Sequence, residues 1–207
     1  CLIELHGLEL QDSGLIHLGK PEGYAQRQVE GWAERYFKAK THELAEMEMA
    51  ASWLKSNLPI TEPIAFIHND FKYDNLILDR SSKTEIKAVL DWEMATVGNP
   101  LMDLGTSLAY WAQAEDPQIL KMFNLSHLPG NFSRQQVIDY YSGKTGLAMD
   151  NFTFYYVFGL FKVAVIAQQI FKRHSLGYAN DPRFAALIHV VEAAGKMAQN
   201  AISTQKI

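Results

Sequence analysis

With 207 residues, 48% of them hydrophobic, the chain can bury a substantial core without disulfide or metal staples. A formal charge of -4 argues against a nucleic-acid or membrane-surface partner held by bulk electrostatics. The single cysteine, Cys1, excludes an internal disulfide and a multi-cysteine zinc site, and suits a reducing, cytoplasmic address.

After LIELHGLEL and a glycine-punctuated loop, Ala25, Val29, Trp32 and Tyr36 recur at helical spacing and predict an amphipathic helix over about 22–38. A second helix is expected from near Thr41, with Leu44, Met47, Ala51 and Leu54 on one face, ending before Pro59 and Pro63. The period then changes. IAFI, LIL and IKAVL are short apolar runs, and DRSSKTE between the last two reads as a hairpin turn. From Leu101 the pattern returns to helix. Ser133 and Gln136 fit a capping box that starts another.

Two longer helices follow, at about 151–174 and 182–203. The first contains the most apolar stretch of the chain, 152–171, which approaches membrane-spanning length. Lys162 at its middle and two glutamines near its end favour a core helix instead. Lys162, Gln169 and Arg173 fall on one stripe of that helix, read as solvent-facing in preference to a cleft-facing anion site. Trp32, Trp53 and Trp111 sit in helical patterns and are assigned to the core. The fold class is α+β, mostly α, with a small β-hairpin region that must rest on helices.

That hairpin region carries the chemistry. His68, Asp70 and Asn75 spell HxDxxxxN, and Asp91 ends the next apolar run in VLDWE. Carboxylates among apolar runs are costly to bury unless paired or bound to metal. Phosphoryl transfer needs one carboxylate to take the nucleophile's proton, and another carboxylate with an amide oxygen to hold Mg2+. A short loop fixes Asp70 and Asn75 relative to each other, and the hairpin returns Asp91 beside them. Lys72 is placed to direct a cation at the transferring phosphoryl group. The bland reading of Asp70, Asn75 and Asp91 is turn and strand-end chemistry, which the joint occurrence of HxDxxxxN, VLDWE and NPLMDLG outweighs. His68 is read as a structural histidine, and Asp74 as a surface carboxylate.

HNDFKYDN, followed by VLDWE and GNPLMDLG, resembles the catalytic and metal-binding segments of the aminoglycoside phosphotransferase and choline kinase superfamily, relatives of protein kinases. GKPEGYAQRQVEGWAERYFKAKT and YYVFGLFKVAVIAQQIFKR are similar, more narrowly, to the kinase-like domain of some acyl-CoA dehydrogenase fusion proteins. The resemblance implies ATP-dependent phosphorylation of a small-molecule hydroxyl, in this branch a hydroxy acid or its acyl-CoA form. It makes Asp70 the catalytic base; Lys72, by its position two residues on, is the candidate contact to the nucleotide phosphates, with a solvated side chain as the alternative reading. Asn75 and Asp91 become the Mg2+ ligands, with Glu93 a weaker candidate beside them. Asp103 is implied to brace the catalytic loop. Position 69 departs from the pattern, with Asn69 where the family usually has glycine; asparagine tolerates unusual backbone angles, so the loop is expected to survive.

Kinases of this class draw a glycine-rich cover and a phosphate-pairing lysine from an N-terminal β lobe of about 100 residues. Residues 1–21 are too short for that lobe, and the chain starts at Cys1. Residues 1–207 are therefore expected to be the C-terminal catalytic and substrate lobe of a longer protein, inactive alone and prone to self-association through its inter-lobe face. Two rival readings stand beside a hydroxy-acid kinase: a non-catalytic kinase-like binding module, and an aminoglycoside-type antibiotic phosphotransferase. A strongly acidic acceptor pocket would favour the antibiotic, a polycation.

Overall fold

The structure is a computed structural model and describes residues 1–122 and 125–207. In chain order the elements are α1 (Leu2–His6), α2 (Tyr24–Ala39), α3 (Ala45–Ser56), β1 (Ala65–Ile67), β2 (Leu76–Leu78), β3 (Ile86–Val89), β4 (Thr96–Gly98), α4 (Pro100–Tyr110), α5 (Gln118–Lys121), α6 (Arg134–Thr145), α7 (Phe152–Ser175) and α8 (Leu187–Thr204). The mostly helical fold with small antiparallel sheets is the one expected.

α7 is the axis of the molecule. Its 24 residues are long and apolar enough to cross a membrane, yet 78% of its most apolar window is buried inside the fold. A helix apolar all round has to be covered on every side. α4 and α8 pack along it, with α2 and α3 beside them. Lys162, placed by the sequence on a solvent-facing stripe, is instead buried near the centre of α7, while Arg173 of the same stripe is exposed. α7 leaves the core toward its C-terminal end, so one helical face is covered at residue 162 and open at 173.

α4 and α7 meet backbone to backbone. A Cβ on Gly159 would lie 2.2 Å from the carbonyl oxygen of Gly105, and one on Gly105 would lie 2.2 Å from that of Tyr155. Neither obstacle is a side chain that can rotate away. Gly159→Ala gains about 1 kcal/mol of helix propensity but forces the two helices apart at a cost of ~3 kcal/mol. Gly159→Ala should therefore lower the thermal midpoint by several degrees, as a melt followed by circular dichroism would show.

The sheets are minimal and separate. β2 and β3 form the expected hairpin around 79–85, pairing Leu76 with Val89. β1 pairs antiparallel with β4, Phe66 opposite Val97, rather than joining the hairpin. β4 was not anticipated: three residues with one buried apolar side chain give no readable period. The second helix begins at Ala45, later than Thr41, and residues 182–186 form a 3-10 turn ahead of α8. The capping box is present, with Ser133 Oγ accepting from the Gln136 amide and Gln136 Oε1 from the Ser133 amide.

Candidate active site

The segment from β1 to α4 builds the site. Asn99 caps α4 by accepting from the Leu101 amide, and Pro100 supplies a helix-ready φ at the first position. This start places Asp103 within the first turn, fully buried and facing the loop after β1. Its Oδ2 accepts from the His68 amide and its Oδ1 from the Asn69 amide, both at 2.8 Å. His6 of α1 donates Nε2–H to Oδ2 at 3.1 Å, and its Nδ1 lies 2.7 Å from the Tyr141 hydroxyl. Asp103 thus binds two consecutive loop amides, the bracing role implied from sequence.

Asn69 stands at φ 67°, in the left-handed region. All of its polar groups are held. Its amide goes to Asp103, Tyr24 Oη donates to its side-chain oxygen at 3.0 Å, and its Nδ2 donates to the Met94 carbonyl at 3.0 Å. Its own carbonyl accepts from Lys162 Nζ at 2.6 Å. Glycine at this position would leave the side-chain partners Tyr24 and Met94 without these bonds.

His68 is a structural histidine, as read. It is fully buried, accepts from the Asp70 amide at Nδ1 (3.2 Å) and donates from Nε2 to the Leu90 carbonyl (2.9 Å). The Leu90 amide in turn donates to the Asn75 carbonyl at 2.8 Å. Leu90 is therefore clamped from both ends of the HxDxxxxN loop, which ties the following residue, Asp91, to it. Trp92 closes the connection, its ring stacked on Phe66 and tilted against His68.

Within the loop, Lys72 Nζ lies 3.0 and 2.8 Å from the two carboxylate oxygens of Asp70, and 4.8 Å from the centre of the Tyr110 ring. Asn75 gives its Nδ2 hydrogens to the Asp70 carbonyl (2.8 Å) and Oδ2 (2.9 Å). That turns the Asn75 amide oxygen away from Asp70, and no hydrogen bond to it is formed among the described residues. Asp91, at φ 65°, and Glu93 are exposed, and their carboxylates take no ion pair or hydrogen bond among the described residues. The sequence-predicted residues are thus joined through short bonds or through Leu90, with Glu93 two residues beyond Asp91. An amide oxygen and free carboxylates are hard donors of the kind Mg2+ takes, and Mg2+ is characteristically held by one or two carboxylates plus phosphate oxygens. Among the described residues, no three His, Cys, Asp or Glu side chains form a ready-made cage.

Beside Lys72 opens a cavity of about 220 Å3 between the loop, α4, α6 and α1. Tyr73, Tyr110, Trp111, Tyr140 and Tyr141 line it together with aliphatic side chains; among the described residues Lys72 is its charged side chain and no carboxylate lines it. Trp111, assigned to the core by sequence, is half-buried here, its ring 5.0 Å from Tyr73 and its Nε1 donating to the Phe132 carbonyl. His6, which bonds Asp103, and Lys162, which bonds the Asn69 carbonyl, were not among the sequence-predicted residues. Burial lowers the Lys162 ammonium to about 8 against the pull of Asp103 and Asp70 in the opposite direction.

A mostly helical fold that presents HxDxxxxN on a braced loop defines the class of kinase-like phosphotransferases. The chain belongs to the phosphotransferase enzyme family known as APH, whose pattern matches residues 1–136, about two thirds of it. Acyl-CoA dehydrogenase family member 10 of mouse is 36% identical over 183 residues, covering 86% of this chain but 17% of that protein. Family member 11 of chicken is 32% identical, with 86% and 24% covered, so the chain spans under a quarter of these curated relatives. A putative aminoglycoside phosphotransferase from Ralstonia eutropha superposes with a TM-score of 0.83 at 27% identity, over 96% of this chain and 62% of that one.

Proposed function

We propose that this chain is the catalytic and acceptor-binding lobe of a phosphotransferase that passes the γ-phosphoryl group of ATP to the hydroxyl of a small, largely apolar acid, a hydroxy acid or its acyl-CoA form. The observation that carries the choice of acceptor is the cavity beside Lys72. Its aromatic and aliphatic lining suits an acyl chain, and a lining without carboxylates among the described residues is a poor receptor for a polycationic aminoglycoside. The length of the relatives supports a partner lobe supplied by the rest of a longer protein.

In this reading Asp70 takes the proton of the acceptor hydroxyl as its oxygen bonds to the γ-phosphorus, and the bridging bond to ADP breaks with its electron pair on the leaving oxygen. Lys72 leaves Asp70 to meet the charge of the transferring group. Asn75 and Asp91 would hold Mg2+, with Glu93 at the edge of the site. When bound, that ion neutralises phosphate charge and orients the nucleotide.

The test is ATP turnover by the full-length protein against a panel of hydroxy acids, their CoA thioesters and aminoglycosides. Phosphorylation of an acyl acceptor is expected; turnover confined to aminoglycosides would replace this reading. Asp91→Ala should raise the half-saturating Mg2+ concentration at least as much as loss of an outer-shell partner does, about 10- to 100-fold. An unchanged Mg2+ titration would remove Asp91 from the metal site.

A further inference from the structure

We propose that Lys162 is a positioning residue whose ammonium, reaching out of the core helix α7, fixes the peptide unit just ahead of Asp70 and thereby aims that carboxylate. The inference rests on the catalytic reading of Asp70.

The peptide that joins Asn69 to Asp70 has two polar ends. Its carbonyl oxygen accepts from Lys162 Nζ at 2.6 Å, and its N–H donates to His68 Nδ1 at 3.2 Å. The two amides before it are both held by Asp103. Asn69 is left-handed at φ 67°, a conformation that a non-glycine residue keeps only where its surroundings over-determine it. Rotation of this peptide toward a relaxed backbone would carry the Asp70 side chain with it. Of the two bonds on the peptide itself, the one from Lys162 comes from outside the β1–α4 segment, from the buried stretch of α7; Tyr24 of α2 holds the Asn69 side chain, not the peptide.

The setting is unusual for a lysine. Lys162 is 2% exposed, its Nζ is 5.6 Å from the centre of the Trp32 ring, and burial works against its charged form. A buried ammonium is a poor source of stability compared with an apolar side chain of the same length. Its bond to the Asn69 carbonyl accounts for its place as a positional constraint, and Asp103 provides nearby countercharge. Positioning then has a signature that ordinary stabilisation lacks: the loop loosens and turnover falls while the fold holds.

The test uses the full-length protein with Lys162→Met, which keeps the length of the side chain and removes the donor. Hydrogen exchange of the peptide spanning 66–72 should accelerate about tenfold, with α7 and α8 as protected as in the parent and a thermal midpoint within a few degrees. Against the best acceptor in the panel above, kcat should fall about 10- to 100-fold, with KM for Mg-ATP nearly unchanged. Exchange and kcat both at parental levels would overturn the proposal, as would exchange that rises throughout the protein together with a fall in midpoint, which marks a merely structural lysine. If Lys162→Met does not fold, Lys162→Leu, which also removes the donor, is read by the same measurements. A parent protein that phosphorylates nothing in the panel sinks the phosphotransferase reading instead, and the exchange arm still decides whether Lys162 holds the loop.

Discussion

Asp70→Asn in the full-length protein is expected to lose about 10³-fold in turnover, near the middle of the range for removing a positioned general base, while Mg-ATP binds within about twofold of the parent. The substitution is close to isosteric. An asparagine oxygen can still accept from Asn75, so the loop, braced independently by Asp103 and Lys162, keeps its shape. What disappears is the capacity to take a proton, together with the ion pair to Lys72. Nucleotide binding holds because the proposed metal donors, Asn75 and Asp91, are untouched. Single-turnover kinetics and calorimetric titration with Mg-ATP separate the two effects. A variant that turns over within threefold of the parent would show that some other group takes the proton.

The HxDxxxxN loop was legible in the sequence because its determinants are local. HxDxxxxN puts its residues on one short turn, and DRSSKTE announces the hairpin that returns Asp91 to it. Ser133 and Gln136 marked a helix start for the same reason, since a cap is written in four consecutive residues. What escaped depends on packing between distant segments. Periodicity put Lys162 on a stripe with Gln169 and Arg173, but whether that stripe sees solvent is decided by Trp32 of α2 and by residue 69, far away in sequence. His6 lies in a helix of five residues, too short to show a period, and its partners are 97 and 135 positions along the chain. The cavity beside Lys72 draws its aromatic wall from the loop, α4 and α6, so no window of the sequence contains it. Local rules find groups that act through the backbone next to them; they do not find groups that act across the core.

Asp103→Ala is the substitution with the largest expected effect on stability, about 3–5 kcal/mol, the cost of breaking a buried charged network from one side. Set against a total stability of roughly 5–15 kcal/mol, such a loss leaves the protein marginal or unfolded. Two buried amides, of His68 and Asn69, lose their acceptor at once, and His6 Nε2–H loses its own. Lys162 loses a nearby countercharge. Asp103→Asn does not escape the problem, because an amide presents one acceptor and one donor where the loop offers two donors. Burial by itself would raise the Asp103 carboxyl, but the hydrogen bond and attraction of His6, the His68 amide and Lys162 outweigh it and hold the group below its ordinary 3.8. A depressed carboxyl contributes stability that is fully present above the unfolded value and is lost as pH falls through the folded one. Urea midpoints measured from pH 7 down to pH 3 should therefore show an acid loss in the parent that shrinks in an Asp103→Asn protein stable enough to melt. A parent and variant with the same midpoint at pH 7 would mean that the amides of residues 68 and 69 find another acceptor, and that the brace on the HxDxxxxN loop does not depend on this carboxylate.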